Sequence, residues 1–185
     1  MKVAAVVLAA GASQRLGKLK QLIRLGGETL VERTVRVCRE AGCDPVVVVL
    51  GASSDVVRRG CSLESAVIVV NDGWPEGMGS SVRVGVGVLG GGVEGCVVAT
   101  CDMPAVSPEH LRELMRAGDV VASSYAGRCG VPAYFPRDLF GSLAELRGDA
   151  GARELLKGAR TVELVGGEMD VDTVEDLARA QERFG

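Results

Sequence analysis

The stretch LAAGASQRLGKLK, residues 8–20, continues an apolar run that begins at Val3, and it decides the fold. An unbroken run of small and β-branched residues is typical of a strand buried on both faces. The clustered small residues that follow allow backbone N–H groups to face an anion closely, as in phosphate-binding nests. Arg15 and Lys20 add positive charge that could hold a triphosphate, although the Walker pattern GxxxxGK followed by Ser or Thr is absent. The sequence therefore predicts an anion-binding loop after a buried strand, with a Gly-rich surface turn as the alternative.

The composition is that of a globular chain without a basic or membrane-spanning character. The 185 residues carry a formal charge of −3 and are 47% hydrophobic but only 3% aromatic. This balance excludes a dedicated duplex-nucleic-acid binder, and no apolar run reaches the roughly 18 residues of a membrane span. The N-terminal run leads into a Gly/Ser loop and basic residues, so we interpret it as a core strand rather than a signal peptide. We expect one domain over residues 1–185, located in the cytoplasm, with no nucleic-acid or membrane partner.

Short apolar runs alternate with helical patterns along the whole chain. The predicted strands are Val3–Ala9, Pro45–Leu50, Ala66–Val70, Cys96–Cys101, Val120–Ser124, Ala133–Phe135 and Val162–Val165. The predicted helices are Thr29–Ala41, Ser53–Arg59, Met78–Leu89, one from Ser107 to near Gly118, Ala150–Lys157 and one from Thr173, while Tyr125–Pro132 reads as a turn. This alternation favours a three-layer, Rossmann-like α/β fold with a mainly parallel sheet. Ligands bind such sheets at the carboxyl ends of the strands, so the chemistry is expected near residues 10–20, 71–81 and 102–104.

Four other features are given structural rather than functional interpretations. The six cysteines lack zinc-ligand spacing and the single histidine is His110, so we predict mostly inert thiols, with one disulfide left open. His110 is expected to face solvent. The GxGxxG match at residues 85–90 lacks the strand and helix context of a dinucleotide site and favours a glycine-rich helix packed on the sheet. Trp74 is interpreted as a loop anchor.

Carboxylates follow the fourth predicted strand and precede the last predicted helix. Asp102 stands where a ligand of a magnesium–nucleotide complex would sit, or else it caps the loop before the next helix. Asp170 and Asp172 alternate just before Thr173, and acidic residues are also ordinary at a helix N-terminus.

Five motifs in order give the chain its family resemblance. They are LAAGxSxRxGxxK at 8–20, NDGWPEGMGSS at 71–81, CDMP at 101–104, GDAGARELL at 148–156 and DVDTVEDL at 170–177. Together they resemble the MobA-like nucleotidyltransferases, and more specifically the molybdenum cofactor cytidylyltransferase branch. The likeness spans essentially the whole chain. One departure is Gly130-Val131-Pro132, where the branch usually has Gly-His-Pro, and it leaves the acceptor open.

The resemblance implies transfer of a nucleotidyl group from a Mg²⁺-bound triphosphate to a phosphorylated acceptor, with release of pyrophosphate. It implies that Lys20, Arg15 and Asp102 are catalytic, and that Asp102 and Asp172 bind Mg²⁺, with Asp170 as the alternative second ligand. The implied nucleotide-binding residues are Leu8, Ala9, Ala10, Gly11, Ala12, Ser13, Arg15, Lys20, Asn71, Gly77, Met78, Gly79 and Ser81. The implied acceptor-binding residues are Gly130, Pro132, Asp149 and Arg153.

The identity of the substrates stays open at this point. The donor is CTP or GTP, and the resemblance implies molybdopterin or the molybdenum cofactor as acceptor. It also implies a molybdoenzyme or a maturation factor as a protein partner. An alternative is a nucleotidyltransferase for a sugar or alcohol phosphate, which the missing imidazole favours. A third hypothesis is a non-catalytic nucleotide-binding module, which predicts loss of Lys20, Asp102 or the loop glycines, and all of these are present.

Overall fold

The computed structural model describes residues 2–13, 15–148 and 152–185. Its strands are β1 (Val3–Ala9), β2 (Arg24–Leu25), β3 (Glu28–Thr29), β4 (Val46–Leu50), β5 (Val67–Val70), β6 (Gly95–Thr100), β7 (Val121–Tyr125), β8 (Arg128–Pro136) and β9 (Arg160–Glu163). Its α-helices are α1 (Leu30–Glu40), α2 (Ser54–Gly60), α3 (Met78–Gly87), α4 (Pro108–Met115), α5 (Phe140–Ala144) and α6 (Val174–Phe184). In the predicted helix at 150–157, the described residues form a 3-10 turn, Arg153–Leu156. All described helices are too short or too polar to cross a bilayer.

The described strands form a seven-stranded sheet in the order β5-β4-β1-β6-β8-β7-β9, with β2 and β3 as a separate hairpin. Four of its six pairings are parallel, and only β8 runs against both of its neighbours. Helices cover both faces of the sheet, so the predicted three-layer α/β fold with a mainly parallel sheet is confirmed. Strand β1 lies at the centre of the parallel part and is buried along its whole length, as its unbroken apolar run predicts.

The direction of each strand determines which loops meet at one edge of the sheet. Strands β1 and β6 are parallel, so the loops after Ala9 and Thr100 leave from the same edge. Because β8 is antiparallel to β6, it starts at that edge, and the β7–β8 hairpin turn lies there too. The prediction of a long turn over Tyr125–Pro132 is wrong. The turn is only Ala126-Gly127, both at positive φ, and a two-residue hairpin turn of this kind leaves the following residues free to pair as strand.

Two apolar layers pack against the sheet from opposite sides. Helices α1 and α4 cover one face, while α3 and α5 cover the other. At Gly85 of α3, an added Cβ would overlap Val6 and lie 2.9 Å from Val49 Cγ2, so only glycine allows this close approach to the sheet. The interpretation of residues 85–90 as part of a glycine-rich packing helix is therefore confirmed for α3, which ends at Gly87.

The prediction that His110 faces solvent is wrong. Ser107 caps α4 by accepting a hydrogen bond from the His110 N–H, as expected, and this places His110 in the first turn of the helix. That turn packs towards β7, where the His110 Nε2 lies 2.7 Å from the Ser123 Oγ and the ring is 8% exposed. Burial lowers the pKa of His110 from its ordinary value.

The cysteines form no disulfide among the described residues, and most are buried, as expected for mostly inert thiols. All six lie in described residues and are free thiols. Burial raises the pKa of Cys43, Cys96 and Cys101 to about 12, so these thiols stay protonated and unreactive at neutral pH. Cys129 differs, because it is exposed on the β7–β8 hairpin.

Candidate active site

A cavity of about 270 Å³ opens at the carboxyl ends of β1 and β6, and we name it the loop cavity. Its walls are Leu8, Ala9, Ala10, Gly11, Lys20, Gln21, Trp74, Gly77, Met78, Ser81, Thr100, Cys101 and Asp102. The residues from β1 are small or apolar, so main-chain groups make up much of this wall. Such a surface suits the base and ribose of a nucleotide, since a flat ring can approach backbone atoms closely.

Two side chains hold the loop after β1 in shape. The buried Gln21 donates from Nε2 to the Ala9 and Gly11 carbonyl oxygens, at 2.8 and 2.9 Å. Ser13, at a φ of 55°, accepts a hydrogen bond from the Lys20 N–H at 3.0 Å. Ser13 thus closes the loop and fixes the backbone that carries the Lys20 side chain.

The Lys20 ammonium lies between two carboxylates. Its Nζ is 2.7 Å from Asp102 Oδ2 and 2.6 Å from Asp172 Oδ1. Burial of the ammonium lowers its pKa, but the two ion pairs outweigh this effect and the net pKa is raised above its ordinary value, so Lys20 is charged at neutral pH. Arg15 is far more exposed and lies 3.7 Å from Asp172 Oδ2.

A backbone hydrogen bond brings the motif at 170–177 to Asp102. The Val171 N–H donates to the Asp102 carbonyl oxygen at 2.9 Å, although the two residues lie far apart in sequence. Beyond Val171, Asp172 reaches Lys20, and the chain enters the capping box of Thr173 and Asp176 that starts α6. Asp170 lines the neighbouring cavity, and within the described residues it forms no ion pair with Lys20.

The second motif supplies the opposite wall of the loop cavity. Gly77, Met78 and Ser81 line it, but Asn71 and Gly79 do not. The Asn71 amide donates to Ser80 Oγ at 2.8 Å and Ser81 Oγ at 3.0 Å, so it joins the loop to the first turn of α3. Gly79 packs against the backbone of residues 147–148, where an added Cβ would be 3.0 Å from the Gly148 oxygen.

A second cavity of about 360 Å³, which we name the hairpin cavity, lies towards the β7–β8 hairpin. It shares Lys20, Met78, Thr100 and Asp102 with the loop cavity. Its other walls are Met103, Tyr125, Arg128, Cys129, Gly130, Val131, Ala152, Arg153, Leu156, Gly167, Asp170 and Asp172. The two cavities therefore adjoin at the Lys20–Asp102 ion pair, which is where groups bound in each would meet.

A bulge in β8 forms part of the hairpin-cavity wall. Pairing with β7 passes from Ala133 to Gly130, so Val131 and Pro132 have no partner in that ladder. Side chains bind both carbonyl oxygens instead: Tyr125 Oη donates to Val131 at 3.1 Å, and Ser123 Oγ donates to Pro132 at 2.5 Å. Because the Ser123 hydroxyl proton is used in this way, the nearby His110 Nε2 must be the donor in its contact with Ser123 Oγ.

Several predicted site residues lie beside the cavities rather than in their walls. Ala12 and Ser13 are in the loop after β1 but do not line either cavity, and Pro132 contributes only its carbonyl to the bulge. Asp149 lies outside the described residues. Sequence reasoning missed Gln21, Tyr125 and Arg128, and it treated Trp74 as a loop anchor although Trp74 lines the loop cavity.

The carboxylates at the junction fit a single divalent cation whose remaining ligands would come from substrate. Asp102 and Asp172 converge on one ammonium position, so both could reach one cation. The described residues contain no cluster of three or more His, Cys, Asp or Glu side chains that could hold a metal by themselves. Mg²⁺ suits such a site, because it commonly binds one or two carboxylates and takes its remaining ligands from water and phosphate oxygens.

Comparison with known proteins identifies the family of this chain. Residues 5–164 match the family model described as MobA-like NTP transferase domain. The chain belongs to the MobA-like NTP transferase family. The matched range contains the loop cavity, Asp102 and the β7–β8 hairpin, while Asp170 and Asp172 follow just after it.

Three similar proteins show how broad this MobA-like family is. Nicotine blue oxidoreductase of Paenarthrobacter nicotinovorans is 36% identical over 96% of this chain and 95% of its own length. A probable molybdenum cofactor guanylyltransferase of Opitutus terrae is 39% identical over 62% of this chain and 54% of its own. The crystal structure of Rv0371c from Mycobacterium tuberculosis superposes with a TM-score of 0.86 at 32% identity, covering 98% of each chain. Rv0371c has also been crystallised in complex with manganese.

Proposed function

We propose that this protein transfers CMP or GMP from a Mg²⁺-bound nucleoside triphosphate to the phosphate of molybdopterin or the molybdenum cofactor. The observation that carries the proposal is the Lys20 ammonium, held by Asp102 and Asp172 where the loop cavity and the hairpin cavity adjoin. A triphosphate whose base occupies the loop cavity would place its phosphates at this junction. The acceptor would approach from the hairpin cavity.

The reaction needs positioning and charge neutralisation rather than a protein nucleophile. An oxygen of the acceptor phosphate attacks the α-phosphorus, the bond from that phosphorus to the β-phosphate bridging oxygen breaks, and pyrophosphate leaves with the electron pair. The attacking oxygen is already ionised, so no base is required. Neither His110, which is buried against Ser123, nor Cys101, whose pKa is raised to about 12, is placed to act as a base.

Lys20 and Arg15 provide the cationic groups for this step. Lys20 is charged before substrate arrives, and it would exchange its contacts with Asp102 and Asp172 for phosphate oxygens when Mg²⁺ takes the two carboxylates. Arg15 is 80% exposed and free to turn towards the outer phosphates. Mg²⁺ held by Asp102 and Asp172 would supply additional neutralisation of the phosphate oxygens. A cytoplasmic location, and a molybdoenzyme or maturation factor that receives the product, are part of the same proposal.

The choice of acceptor rests on two observations. The relative from Opitutus terrae is a probable molybdenum cofactor guanylyltransferase, and the hairpin cavity presents Arg153, whose guanidinium geometry matches a phosphate. Val131 stands in this wall where the resembling branch has an imidazole. A sugar or alcohol phosphate is the alternative acceptor, and the same assay distinguishes it.

A second candidate function is oxidoreduction. It is favoured by one observation, the 36% identity to nicotine blue oxidoreductase over nearly the full length of both chains. An oxidoreductase needs an electron donor or acceptor beside its substrate, and the two adjoining cavities offer space for both. Pyridine-nucleotide oxidation with nicotine blue as substrate is the assay that would detect it.

The deciding experiment measures pyrophosphate release with CTP and with GTP, each with and without molybdopterin. We expect release that requires Mg²⁺ and molybdopterin together. Release with a sugar phosphate instead would identify the alternative acceptor, and release in no combination would contradict nucleotidyl transfer.

Calorimetric titration of each triphosphate tests the metal assignment. Asp102→Asn keeps the side-chain size but removes the anionic oxygen, so we expect Mg²⁺-dependent affinity to fall at least about tenfold. Asp119→Asn, at an exposed carboxylate between α4 and β7, is the control. Equal affinity of wild type and Asp102→Asn, with metal and with chelator, would leave Asp102 a structural residue.

A further inference from the structure

Tyr125 is fixed in a narrow slot at the end of β7. An added Cβ at Gly130 would lie 3.0 Å from the Tyr125 hydroxyl, and one at Gly167 would lie 2.9 Å from its Cδ1. These two glycines therefore make room for the ring. The hydroxyl donates to the Val131 carbonyl oxygen at 3.1 Å, which holds the ring against the bulge of β8.

Arg128 stacks on this immobilised ring. Its guanidinium carbon is 5.3 Å from the ring centroid, within the range of a cation–π interaction. Arg128 lines the hairpin cavity, and it has no ion pair with any carboxylate of the described residues. A cation–π contact engages none of the N–H donors in a hydrogen bond, so they stay available to a ligand.

The charges of the hairpin cavity favour an anion on this side. Asp102 and Asp172 are occupied by Lys20. The described wall as a whole is neutral: the cluster of Lys20 with these two carboxylates carries a formal charge of −1, and the remaining charged groups, Arg128, Arg153 and Asp170, carry +1. Two guanidinium groups without carboxylate partners in the described residues therefore face one acidic side chain.

We infer that Arg128, seated on Tyr125, binds the phosphate monoester of the acceptor together with Arg153, and that Tyr125 is the positioning residue that sets Arg128 in place. This inference rests on the proposed function, because it assigns the hairpin cavity to the acceptor. It adds two residues that select for a phosphorylated acceptor. Planar guanidinium groups suit this task, since each can donate two parallel hydrogen bonds to one phosphate.

Steady-state kinetics with molybdopterin tests the inference when the enzyme turns over. Arg128→Ala is expected to raise the acceptor KM about tenfold, the usual effect of losing a charged hydrogen bond, with kcat and the triphosphate KM unchanged. Arg128→Lys should recover part of the loss, because it restores the charge without the fork. Tyr125→Phe keeps the ring but not the tether to Val131, and we expect an increase of about threefold. Arg58→Ala removes the same charge from α2, outside the hairpin cavity, and should leave every constant unchanged.

Binding of phenyl phosphate gives a readout that does not depend on turnover. The titration follows the ³¹P signal with the full chain, its loop cavity filled by α,β-methylene-CTP and Mg²⁺. We expect the same order of effects on Kd as on the acceptor KM. Wild-type affinity in Arg128→Ala, or equal losses in Arg128→Ala and Arg58→Ala, would overturn the inference. If no acceptor turns over but phenyl phosphate binding still falls in Arg128→Ala, the anion site stands and only the proposed reaction fails.

Discussion

The loop cavity has a wall rich in small residues and main-chain groups, whereas the wall of the hairpin cavity is built largely from longer side chains. The first takes small residues and backbone from Ala9, Ala10, Gly11, Gly77 and Ser81. The second combines β7, β8, the 152–156 segment and residues 167–172. Its bulge is held by side-chain hydrogen bonds, as Tyr125 and Ser123 bind the Val131 and Pro132 carbonyls. A cavity lined by backbone can serve every member of a family, while one built from side chains can change its ligand with a few substitutions.

Lys20→Ala should have the largest effect, because Lys20 stands where the two cavities adjoin. We expect turnover to fall at least about 100-fold with the fold unchanged, since a lost preorganised charge contact commonly costs about 2.7–4 kcal/mol in the transition state. Steady-state kinetics and circular dichroism measure the two quantities. Lys18→Ala, an exposed lysine of the same loop, is the control. Near-normal activity of folded Lys20→Ala would remove the basis for placing the triphosphate at the junction.

Ser123→Ala sharpens the comparison, because it removes the side chain that holds the bulge. The substitution leaves the buried Pro132 carbonyl and the His110 Nε2–H without their partner. An unsatisfied buried group costs about 1–3 kcal/mol, and we expect a loss of about 2 kcal/mol in the free energy of unfolding. Thermal and urea unfolding measure it, with the half-buried neighbour Ser124→Ala as the matched control. Equal stability of the two variants would mean that the bulge does not depend on these hydrogen bonds.

Arg153→Ala should separate the two cavities kinetically. We expect the apparent KM for molybdopterin to rise about tenfold while triphosphate binding and kcat stay unchanged, because the contact is lost equally in ground and transition states. The measurement is steady-state kinetics at saturating nucleotide with varied acceptor. Arg160→Ala on β9 controls for loss of an exposed charge. An unchanged acceptor KM with a raised nucleotide KM would show that the two cavities are assigned the wrong way round.

The smallest expected effect is a dependence of the free energy of unfolding on pH through His110, which contacts Ser123 beside the hairpin cavity. His110 is the single histidine, and burial lowers its pKa below the ordinary value of 6.5. Glu113 on the same helix acts in the opposite direction and is outweighed. Between pH 6.5 and the lower folded-state pKa, the unfolded chain binds the proton more readily, so stability falls as the pH is lowered through 6.5. The slope cannot exceed about 1.4 kcal/mol per pH unit, the limit for one proton.

His110→Gln tests this dependence, because it keeps an N–H donor for Ser123 but cannot titrate in this range. Urea unfolding of both proteins between pH 7.5 and pH 5 (a window set around the ordinary histidine pKa of about 6.5) should show a loss of stability in wild type that the variant lacks. The same slope in both proteins would assign the effect to another group.

Local patterns predicted most of the longer elements and part of the loop-cavity wall, but not the β2–β3 hairpin, α5 or the first half of β8. A loop that directly follows a buried strand leaves from the strand end, so its position follows from the strand. Helix starts are also local, because Thr29, Ser107 and Thr173 cap their helices through contacts within three residues. The position of His110 was not predictable in this way. A histidine in a first helical turn can face solvent or core, and only the packing of α4 against β7 decides which.

The sequence by itself determined the order of the longer strands and helices and the location of Asp102 at a strand end, because each depends on neighbouring residues. It also predicts the anion-binding character of residues 8–20. Tertiary structure alone decided which carboxylate meets Lys20. Asp170 and Asp172 are equivalent in a local pattern, and the choice follows from the hydrogen bond between Val171 and Asp102, which directs Asp172 to the ammonium. It also decided that Tyr125 and Arg128 face the hairpin cavity, since that depends on the antiparallel entry of β8 at the same edge as β1 and β6. Contacts over such sequence separations depend on the folded sheet, and no local pattern encodes them.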